Sequence, residues 1–337
     1  MRSIYIDPPY KVLEENKLFS LDDPILNRDD QLLYFYRLKE SILKNGSIVN
    51  TADYLDDIDG SDDFDYYSFG NYSRFLKINR GTKLRAFVLM EPPSAFPYIY
   101  KALPQISQYF ESLYVHNTEG DGFSLRNVDV KKLKKFYHPI PYRGVLESFW
   151  NGDRNKKILL INGNHRPIDS NRELYSLRIK CIVELQKSNS IDLYGKGWDK
   201  WWSGNSRWLP YWLNRSAILS AWRGSCNSKF EMMGSYEFAL CIENTEMLGY
   251  ISEKIFDCFY SGVIPIYCGA PDIDKYIPSN CYIDLRNFSD SAELVDMLSS
   301  LTKSNIESYR DNIKRFMESE KIDPFYNSLE NICGVGL

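Results

Sequence analysis

The chain has 337 residues, of which 44% are hydrophobic and 26% are charged, which is typical of a globular protein long enough for two domains. Its net charge of −4 argues against nucleic acid as a partner, because phosphate binding of that kind needs a basic surface. No apolar stretch approaches the roughly 20 residues of a membrane span. The opening residues, MRSIYIDPPYK, contain no apolar core of a secretory signal.

The first half of the chain alternates strand and helix patterns. Its clearest strand is Leu84 to Met90, a continuous apolar run typical of a parallel sheet that is covered on both faces. The other predicted elements are strands at Ser3 to Ile6, Ser47 to Asn50, Asp65 to Phe69 and Ser112 to His116, and helices at Asp29 to Lys44 and Tyr98 to Tyr109. The prolines and glycine of Tyr137 to Gly144 predict a linker.

A second series of strands and helices begins after this linker. Its predicted strands are Lys157 to Ile161, Ile191 to Tyr194, Phe238 to Ile242, Val263 to Tyr267 and Cys281 to Leu285, and its predicted helices are Arg172 to Lys187, Ile251 to Tyr260, Ser291 to Leu301 and Ile306 to Glu318. Alternating strands and helices form parallel sheets. We therefore expect an α/β protein with an N-terminal domain over 1–145, a C-terminal domain over 146–325 and a tail over 326–337.

Two charged runs are predicted to be solvated surface. The acidic residues from Asp53 to Asp65 resemble a calcium loop, but the glycine and glutamate positions do not fit. The basic run from Lys131 to Lys135 is predicted as a solvated helix face, with contact to acidic lipids or an anionic acceptor as the alternative.

Cysteine and histidine usage bears on compartment and metal binding. The seven cysteines are odd in number, show no C-x-x-C spacing and lie partly in apolar runs, which predicts reduced thiols in a cytoplasmic protein. None of the three histidines pairs with another at metal-ligand spacing, so we expect no metal site.

The stretch from Phe238 to Pro271 concentrates the residues that indicate chemistry. A buried strand ends at Ile242, which places Glu243 and Asn244 at the edge of the sheet where ligands bind. A helix begins after Tyr250. The first turn of a helix is a place where anions bind.

Glu253 and Lys254 lie in this first turn. Backbone N–H groups and the helix dipole favour an anion there, and a lysine is unfavourable for the helix itself. Its presence predicts a bound phosphate. After the next strand, the small residues Cys268 and Gly269 predict that the backbone approaches a ligand closely.

The strings E-N-x(5)-Y-I-S-E-K-I-x-D and G-V-I-P-I-Y-x-G-A-P closely resemble the donor-binding motif of the α1,3/1,4-fucosyltransferases, glycosyltransferase family 10. The resemblance runs from Lys229 to Pro278, with Ser252 where the family usually has threonine. The segment MEPPS is similar to the family's E-S-P-S segment, with Pro92 in place of serine. The stretch from Arg178 to Gly195 is similar to its arginine helix and following strand.

This resemblance implies the GT-B fold, with two facing Rossmann-like domains. The N-terminal domain would bind the acceptor and the C-terminal domain would bind the donor, with a cleft between them. The implied reaction is inverting transfer of L-fucose from GDP-L-fucose to a hydroxyl of a glycan, in α1,3 linkage, without a metal or other cofactor.

Two carboxylates are the implied catalytic residues. Glu91 would take the proton from the acceptor hydroxyl, and Glu243 would stabilise the oxocarbenium-like transition state. Arg178 and Lys254 would bind the pyrophosphate, with Arg172 as the rival of Arg178. The implied donor-binding residues are Arg178, Asn244, Tyr250, Glu253 and Lys254, of which Glu253 would hold the ribose and Asn244 and Tyr250 the sugar or the phosphates.

Three alternatives are weighed against this interpretation. The motif does not fix the hexose, so another nucleotide sugar remains open, as does a non-catalytic carbohydrate-binding protein on the same scaffold. A metal-dependent GT-A enzyme would use a D-x-D segment, which occurs at Asp57 to Asp59, Asp63 to Asp65 and Asp272 to Asp274. The doubly repeated α/β pattern argues against GT-A.

Six tryptophans lie between Gly197 and Gly224. Stacking on sugars, anchoring at a membrane surface and a packed insertion all remain open for this segment. By analogy we expect a cytoplasmic enzyme, with peripheral association at the inner face of the cell membrane as an alternative location, that acts on an oligosaccharide or a lipid-linked glycan such as an O-antigen unit.

Overall fold

Two compact units make up the chain. The computed structural model describes residues 2–57, 64–71, 74, 83–204 and 207–335. Unit 1 comprises Met1–Pro141 and Asp323–Leu337, and unit 2 comprises Tyr142–Ile322. The division after Pro141 lies inside the predicted linker, a few residues before the predicted boundary at 145/146.

Parallel strands form the sheet of unit 1. In the described residues they are β1 Ser3–Asp7, β2 Ile48–Thr51, β3 Phe64–Ser68, β4 Lys83–Val88, β5 Ser112–Val115 and β6 Leu133–Lys135. Their order is β2-β1-β3-β4-β5-β6, and each neighbouring pair is parallel. Helix α1 (Leu33–Lys44) connects β1 to β2, and α2 (Pro97–Tyr109) connects β4 to β5.

Both faces of this sheet are covered. Ile4 and Ile6 pack in one apolar cluster with Phe35 of α1, whereas Tyr5 packs in a second cluster with Leu103 of α2. Successive strand residues point to opposite faces, so a strand covered on both sides is apolar throughout. This is why the stretch from Ala86 to Leu89, in and just after β4, is apolar without interruption.

The sheet of unit 2 is also parallel. Its described strands are β7 Asn155–Ile161, β8 Ile191–Tyr194, β9 Tyr236–Ile242, β10 Ile264–Cys268 and β11 Ile283–Asp284, in the order β11-β10-β9-β7-β8. Its helices are α3 Tyr175–Lys187, α4 Leu209–Ala221, α5 Lys229–Gly234, α6 Glu253–Ser261, α7 Ser291–Ser300 and α8 Lys303–Glu318. Two parallel α/β sheets confirm the predicted fold class.

The C-terminal segment differs from the predicted tail. It forms two short helices, α9 (Asp323–Tyr326) and α10 (Ser328–Cys333). Leu329, Ile332 and Cys333 are buried in the same cluster as Ile4 and Phe35, so this segment belongs to the core of unit 1. Burial of these apolar side chains is the physical reason that the chain returns to unit 1.

The basic run of Lys131 to Lys135 was predicted to be a solvated helix face, and this prediction is wrong. It forms a single 3-10 turn and then β6, which pairs with β5 at the edge of the sheet. Lysines are common on edge strands because one side of such a strand faces water. Their charges also prevent a further strand from pairing there. Residues 58–63 of the acidic run lie outside the described residues.

No helix in the described part of the chain is both long enough and apolar enough to cross a bilayer.

Candidate functional site

The carboxylate of Glu243 lies directly after β9, at the carboxyl edge of the unit 2 sheet. Its side chain is 0% exposed. Oε1 accepts a hydrogen bond from the backbone N–H of Ser252 at 2.8 Å, and Oε2 accepts one from the Ser252 hydroxyl at 2.7 Å. Oε2 also lies 3.0 Å from Nζ of Lys254. We call Glu243, Ser252 and Lys254 the strand-end cluster.

The sequence around Ser252 explains why this cluster forms. Ser252 is the N-cap of α6, and its hydroxyl faces the backbone N–H of Lys254 at 3.5 Å. The Nζ of Lys254 lies 2.9 Å from the same hydroxyl. Serine is favoured at an N-cap because its oxygen satisfies N–H groups that have no partner within the helix. One side chain thus caps α6 and connects Glu243 to Lys254.

Lys254 has its charge compensated within the protein. Burial alone would lower the pKa of its ammonium group, but the carboxylates of Glu243 and Glu253 outweigh burial and raise that pKa. Glu253 Oε1 lies 3.7 Å from Nζ, and the Lys254 side chain is 21% exposed. A phosphate is therefore not needed to explain a lysine in this first turn, although the exposed fraction leaves room for one.

Gly269 allows the close approach at the end of β10. A Cβ atom at this position would lie 2.5 Å from Cγ of Glu243 and 2.5 Å from the hydroxyl of Tyr267. The sequence predicted that small residues here admit a ligand. In the structure the space is taken by the side chain of Glu243, so Gly269 is required by the strand-end cluster itself.

The structure assigns Glu243 a positioning geometry. The sequence predicted that it acts beside the transition state, and this role stays a prediction. The contacts of this buried carboxylate with Ser252 and Lys254 hold the start of α6 and the lysine in place.

Arg178 lies on α3 beneath the same sheet edge and is buried. Its Nη1 donates to Asn162 Oδ1 at 2.9 Å, and its Nη2 donates to the carbonyl oxygens of Ile242 and Glu243 at 2.8 and 3.1 Å. Within the described residues its buried Nε has no hydrogen-bond partner. Burial lowers the pKa of the guanidinium. The side chain ties β7 and β9 together where both strands end.

Arg172, the rival for pyrophosphate binding, is exposed and has a positive φ of 55°. Its carbonyl oxygen accepts a hydrogen bond from the backbone N–H of Glu246 at 2.9 Å. Glu173 and Thr245 form an antiparallel bridge beside it. Arg172 is therefore held next to the segment that follows Glu243, and the choice between the two arginines remains a prediction.

The structure brings most of the predicted donor-binding residues together in unit 2. Asn244 is partly buried, with Oδ1 at 3.5 Å from Nη2 of Arg178. Glu253 is adjacent to Lys254 in α6, with its side chain 42% exposed. Tyr250 is 2% exposed, which leaves its ring little surface for a ligand. Their roles toward a donor stay predictions.

Glu91 belongs to unit 1 and lies shortly after β4. The hydroxyl of Tyr10 donates to its Oε1 at 3.3 Å, and the hydroxyl of Tyr100 donates to its backbone oxygen at 2.8 Å. The ring Nε2 of His116 contacts the carbonyl oxygen of Met90 at 3.1 Å. The main chain around Glu91 is thereby held from two sides, and the carboxylate is partly exposed.

Asp7, a residue that the sequence analysis did not select, lies at the carboxyl end of β1 and is fully buried. The hydroxyl of Tyr66 donates to it at 2.6 Å, Asn71 Nδ2 donates at 3.1 Å and Nε of Arg74 lies 3.2 Å away. Burial raises the pKa of its carboxyl group to about 7, against the lowering effect of these three partners. The sequence did contain a signal that could have selected Asp7, namely a carboxylate at the end of a predicted strand, directly before two prolines.

Asn162 is a second residue that the sequence analysis missed. It follows β7 directly, accepts from Arg178 through its side chain and accepts the Trp198 indole N–H through its carbonyl oxygen at 2.7 Å. The same strand-end rule that selected Glu243 would have selected it.

In the described part of the chain, no three histidine, cysteine, aspartate or glutamate side chains lie together in a way that could hold a metal ion. Of the three D-x-D segments, Asp57 to Asp59 and Asp63 to Asp65 fall partly outside the described residues. In the third, Oδ1 of Asp272 accepts the backbone N–H of Gly249 at 2.7 Å, and its Oδ2 lies 3.6 Å from Nζ of Lys275. Asp272 thus closes the loop before α6.

Comparison with known proteins places this site in a family. The family model described as "Glycosyltransferase family 10 (fucosyltransferase) C-term" matches residues 165–332. An α-(1,3)-fucosyltransferase of Helicobacter pylori is 36% identical over 74 residues, which cover 22% of this chain and 16% of that protein. An α-(1,3)-fucosyltransferase B of Drosophila melanogaster is 30% identical over 146 residues, covering 42% of this chain and 31% of that protein. Each match thus spans less than a third of the relative's own length.

Solved structures extend the likeness to both units. A crystal structure of an α1,3-fucosyltransferase superposes with a TM-score of 0.51 at 15% identity, covering 93% of this chain and 80% of that one. An α-glucosyltransferase solved with UDP and DNA gives a TM-score of 0.60 at 12% identity, covering 99% of both chains. At such low identity these likenesses show the fold alone, which is GT-B. The family model over residues 165–332, with the sequence similarity to these fucosyltransferases, establishes that the chain belongs to glycosyltransferase family 10, the fucosyltransferases.

Proposed function

We propose that the chain transfers L-fucose from GDP-L-fucose to a hydroxyl of a glycan, with inversion at the anomeric carbon and formation of an α1,3 linkage. The observation that carries this proposal is the strand-end cluster, which lies inside the matched region and positions a lysine at the start of α6. A lysine and the N-terminus of a nine-residue helix present positive charge at the same point.

On the donor side, the bond between the anomeric carbon and the β-phosphate oxygen breaks, and GDP leaves with the electron pair. Lys254 and the first N–H groups of α6 compensate the negative charge that develops on the diphosphate. Arg178 or Arg172 supplies a second cation. Glu253 binds the ribose, and Asn244 and Tyr250 contact the sugar or the phosphates. Glu243 stabilises the oxocarbenium-like transition state through its negative charge, and it also holds Lys254 in place.

On the acceptor side, a bond forms between the acceptor oxygen and the anomeric carbon. Glu91 takes the proton that this oxygen loses. The hydroxyl of Tyr10, 3.3 Å from Oε1, supports the orientation of the carboxylate. No metal ion or other cofactor takes part in these steps.

The acceptor that we propose is an oligosaccharide or a lipid-linked glycan, such as N-acetylglucosamine in an O-antigen or surface-polysaccharide unit. The location that we propose is the cytoplasm. Seven free cysteines, six of them buried, suit a reducing compartment.

Release of GDP from GDP-fucose, measured with and without EDTA, tests the proposal in the wild-type chain. The matched pair of variants is Lys254→Ala and Lys303→Ala. Lys303 also begins a helix, α8, but its side chain is 90% exposed, and its Nζ lies 3.8 Å from Oε1 of Glu307 on the next turn. We expect Lys254→Ala to weaken GDP binding about tenfold to a hundredfold, since charge-assisted contacts contribute about 1.5–3 kcal/mol, and Lys303→Ala to bind GDP as the wild type does.

Three outcomes would contradict this proposal. Loss of turnover in EDTA would exclude a metal-independent reaction. Turnover of another nucleotide sugar in preference to GDP-fucose would replace the donor. Equal GDP affinity of the two lysine variants would remove the strand-end cluster from the donor site.

A further inference from the structure

The tryptophan-rich segment of unit 2 divides into an inner and an outer set. Trp198 is 2% exposed and donates its indole N–H to the carbonyl oxygen of Asn162. Trp222 donates to the carbonyl oxygen of Gly195 at 3.0 Å, and both Trp208 and Trp222 pack against the apolar core of unit 2. These three side chains are accounted for by packing.

The outer set remains on the surface. Trp201 is 67% exposed, Trp202 is 63% exposed and Trp212 is 39% exposed, and the rings of Trp202 and Trp212 stack with their centroids 5.6 Å apart. Two leucines of α4 lie one turn apart in the same segment, Leu209 at 64% and Leu213 at 74% exposure. We call these five residues the tryptophan patch. Large apolar side chains so exposed, in one short segment, mark an interaction surface.

The charged residues of the segment that carries the tryptophan patch have one predominant sign. Four cations, Lys196, Lys200, Arg207 and Arg215, and one anion, Asp199, lie between residues 196 and 215. The guanidinium of Arg207 lies 5.3 Å from the ring centroid of Trp202, and that of Arg215 lies 5.4 Å from the ring centroid of Trp201. The whole chain carries a net charge of −4, so the sign of the net charge of this segment is opposite to that of the whole chain.

The patch suits a lipid surface better than a sugar. Sugars stack on open aromatic faces, whereas the ring of Trp202 already stacks on Trp212 and has the guanidinium of Arg207 5.3 Å from its centroid. Leucine side chains add nothing to sugar stacking but gain free energy when they enter an acyl layer. Tryptophan prefers the interface between acyl chains and headgroups, and arginine and lysine bind anionic headgroups.

We propose that the tryptophan patch binds unit 2 to a membrane surface that contains anionic phospholipids. Trp201, Trp202, Trp212 and the two leucines enter the interface, and the surrounding cations contact the headgroups. The binding needs no nucleotide sugar, so it does not rest on the proposed function and is tested without a donor.

Co-sedimentation of the full chain with vesicles is the test. The vesicles are pure phosphatidylcholine, or phosphatidylcholine with phosphatidylglycerol, at low and high salt. We expect binding to the anionic vesicles that weakens at high salt, because headgroup attraction is screened. Each cation near the surface contributes about 1 kcal/mol, so Arg207→Gln should bind roughly fivefold more weakly.

The apolar part of the patch is tested by Leu213→Asn, with Ile25→Asn as the matched control. Ile25 is 82% exposed but belongs to unit 1. We expect Leu213→Asn to weaken vesicle binding by about tenfold and Ile25→Asn to leave it unchanged. Trp201→Ala, which lies outside α4, gives the same test should Leu213→Asn disturb the helix.

Each contrary outcome overturns the proposal. Wild-type chain that stays in the supernatant with anionic vesicles shows that the patch does not bind lipid. Equal binding of Leu213→Asn, Trp201→Ala and Ile25→Asn places the lipid contact elsewhere. A dimer in solution that the patch variants abolish, without vesicle binding, assigns the patch to a second copy. A raised KM of Trp201→Ala for a soluble oligosaccharide, without vesicle binding, assigns it to sugar.

Discussion

Each of the two sheets presents a carboxylate beyond the end of a central strand, and the two carboxylates have different surroundings. In unit 2, Glu243 is 0% exposed and is occupied by a backbone N–H, a hydroxyl and an ammonium group. In unit 1, Glu91 is partly exposed, with the hydroxyl of Tyr10 at 3.3 Å from its Oε1. Both carboxylates lie at the carboxyl edge of a parallel sheet, but the chemistry that each position allows is different.

These two surroundings would suit two different roles. A buried carboxylate with a lysine partner fixes geometry, because moving it would leave a charge unpaired. A partly exposed carboxylate can exchange a proton with a substrate hydroxyl. Three substitutions test whether the two sheet edges divide the work in this way.

The largest effect is expected at Glu91. In Glu91→Gln the side chain keeps its size but cannot accept the proton, so transfer should fall by about 10²–10⁴-fold while GDP affinity stays at the wild-type value. Initial rates of GDP release with acceptor, and GDP titration by calorimetry, measure the two quantities. Glu111→Gln is the control, since Glu111 precedes β5 at the opposite edge of the same sheet. Full activity of Glu91→Gln would show that Glu91 is not the catalytic base.

At Glu243 the main effect should appear in stability and GDP binding. Glu243→Ala leaves Lys254 without its buried partner, so the free energy of unfolding should fall by about 3 kcal/mol and GDP should bind more weakly. Urea unfolding and GDP titration measure these changes. Glu246→Ala, three residues further and exposed, should change the unfolding free energy by less than about 0.5 kcal/mol. A Glu243→Ala chain that is as stable as Glu246→Ala would contradict the positioning role.

The smallest effect concerns Asp7, the other carboxylate at the edge of the unit 1 sheet. Burial raises the pKa of Asp7 to about 7 in the folded chain. The folded chain therefore keeps a proton that the unfolded chain releases near pH 4, and stability falls as pH rises between these values. Relative to Asp7→Asn, the wild type should lose about 1 kcal/mol of unfolding free energy per pH unit from pH 5 to pH 7.

Urea unfolding of both chains at several pH values checks this expectation, and Asp22→Asn, at an exposed position, is the control. A constant difference between wild type and Asp7→Asn across this range would mean that Asp7 is ionised in the folded chain well below pH 7.

The fold could be predicted from the sequence wherever burial on both faces left a continuous apolar run. β4 and β7 were predicted to within a few residues for this reason. β6 was missed because an edge strand keeps one side in water and so tolerates Leu133 between lysines. α4 was missed because the tryptophans and proline at its start do not show helical spacing.

The candidate site was predictable only to the level of the strand end. Glu243 and Lys254 could be placed at a sheet edge and a helix start from the order of elements alone. Their contact could not, because it depends on Ser252 and on the missing Cβ of Gly269, which come close only after β9, α6 and β10 have packed. Asp7 went unnoticed because burial, and not residue type, gives it an unusual pKa.

The return of α9 and α10 to unit 1 has a consequence for truncated versions of the gene. A stop codon after Ile322 would delete Leu329, Ile332 and Cys333 from the cluster around Ile4 and Phe35, and would remove the Tyr326 ring that lies 3.7 Å below the guanidinium of Arg37. Every strand of unit 2 would be retained. Loss of the segment from Asp323 onward would therefore expose apolar side chains of the sheet formed by the first residues of this chain.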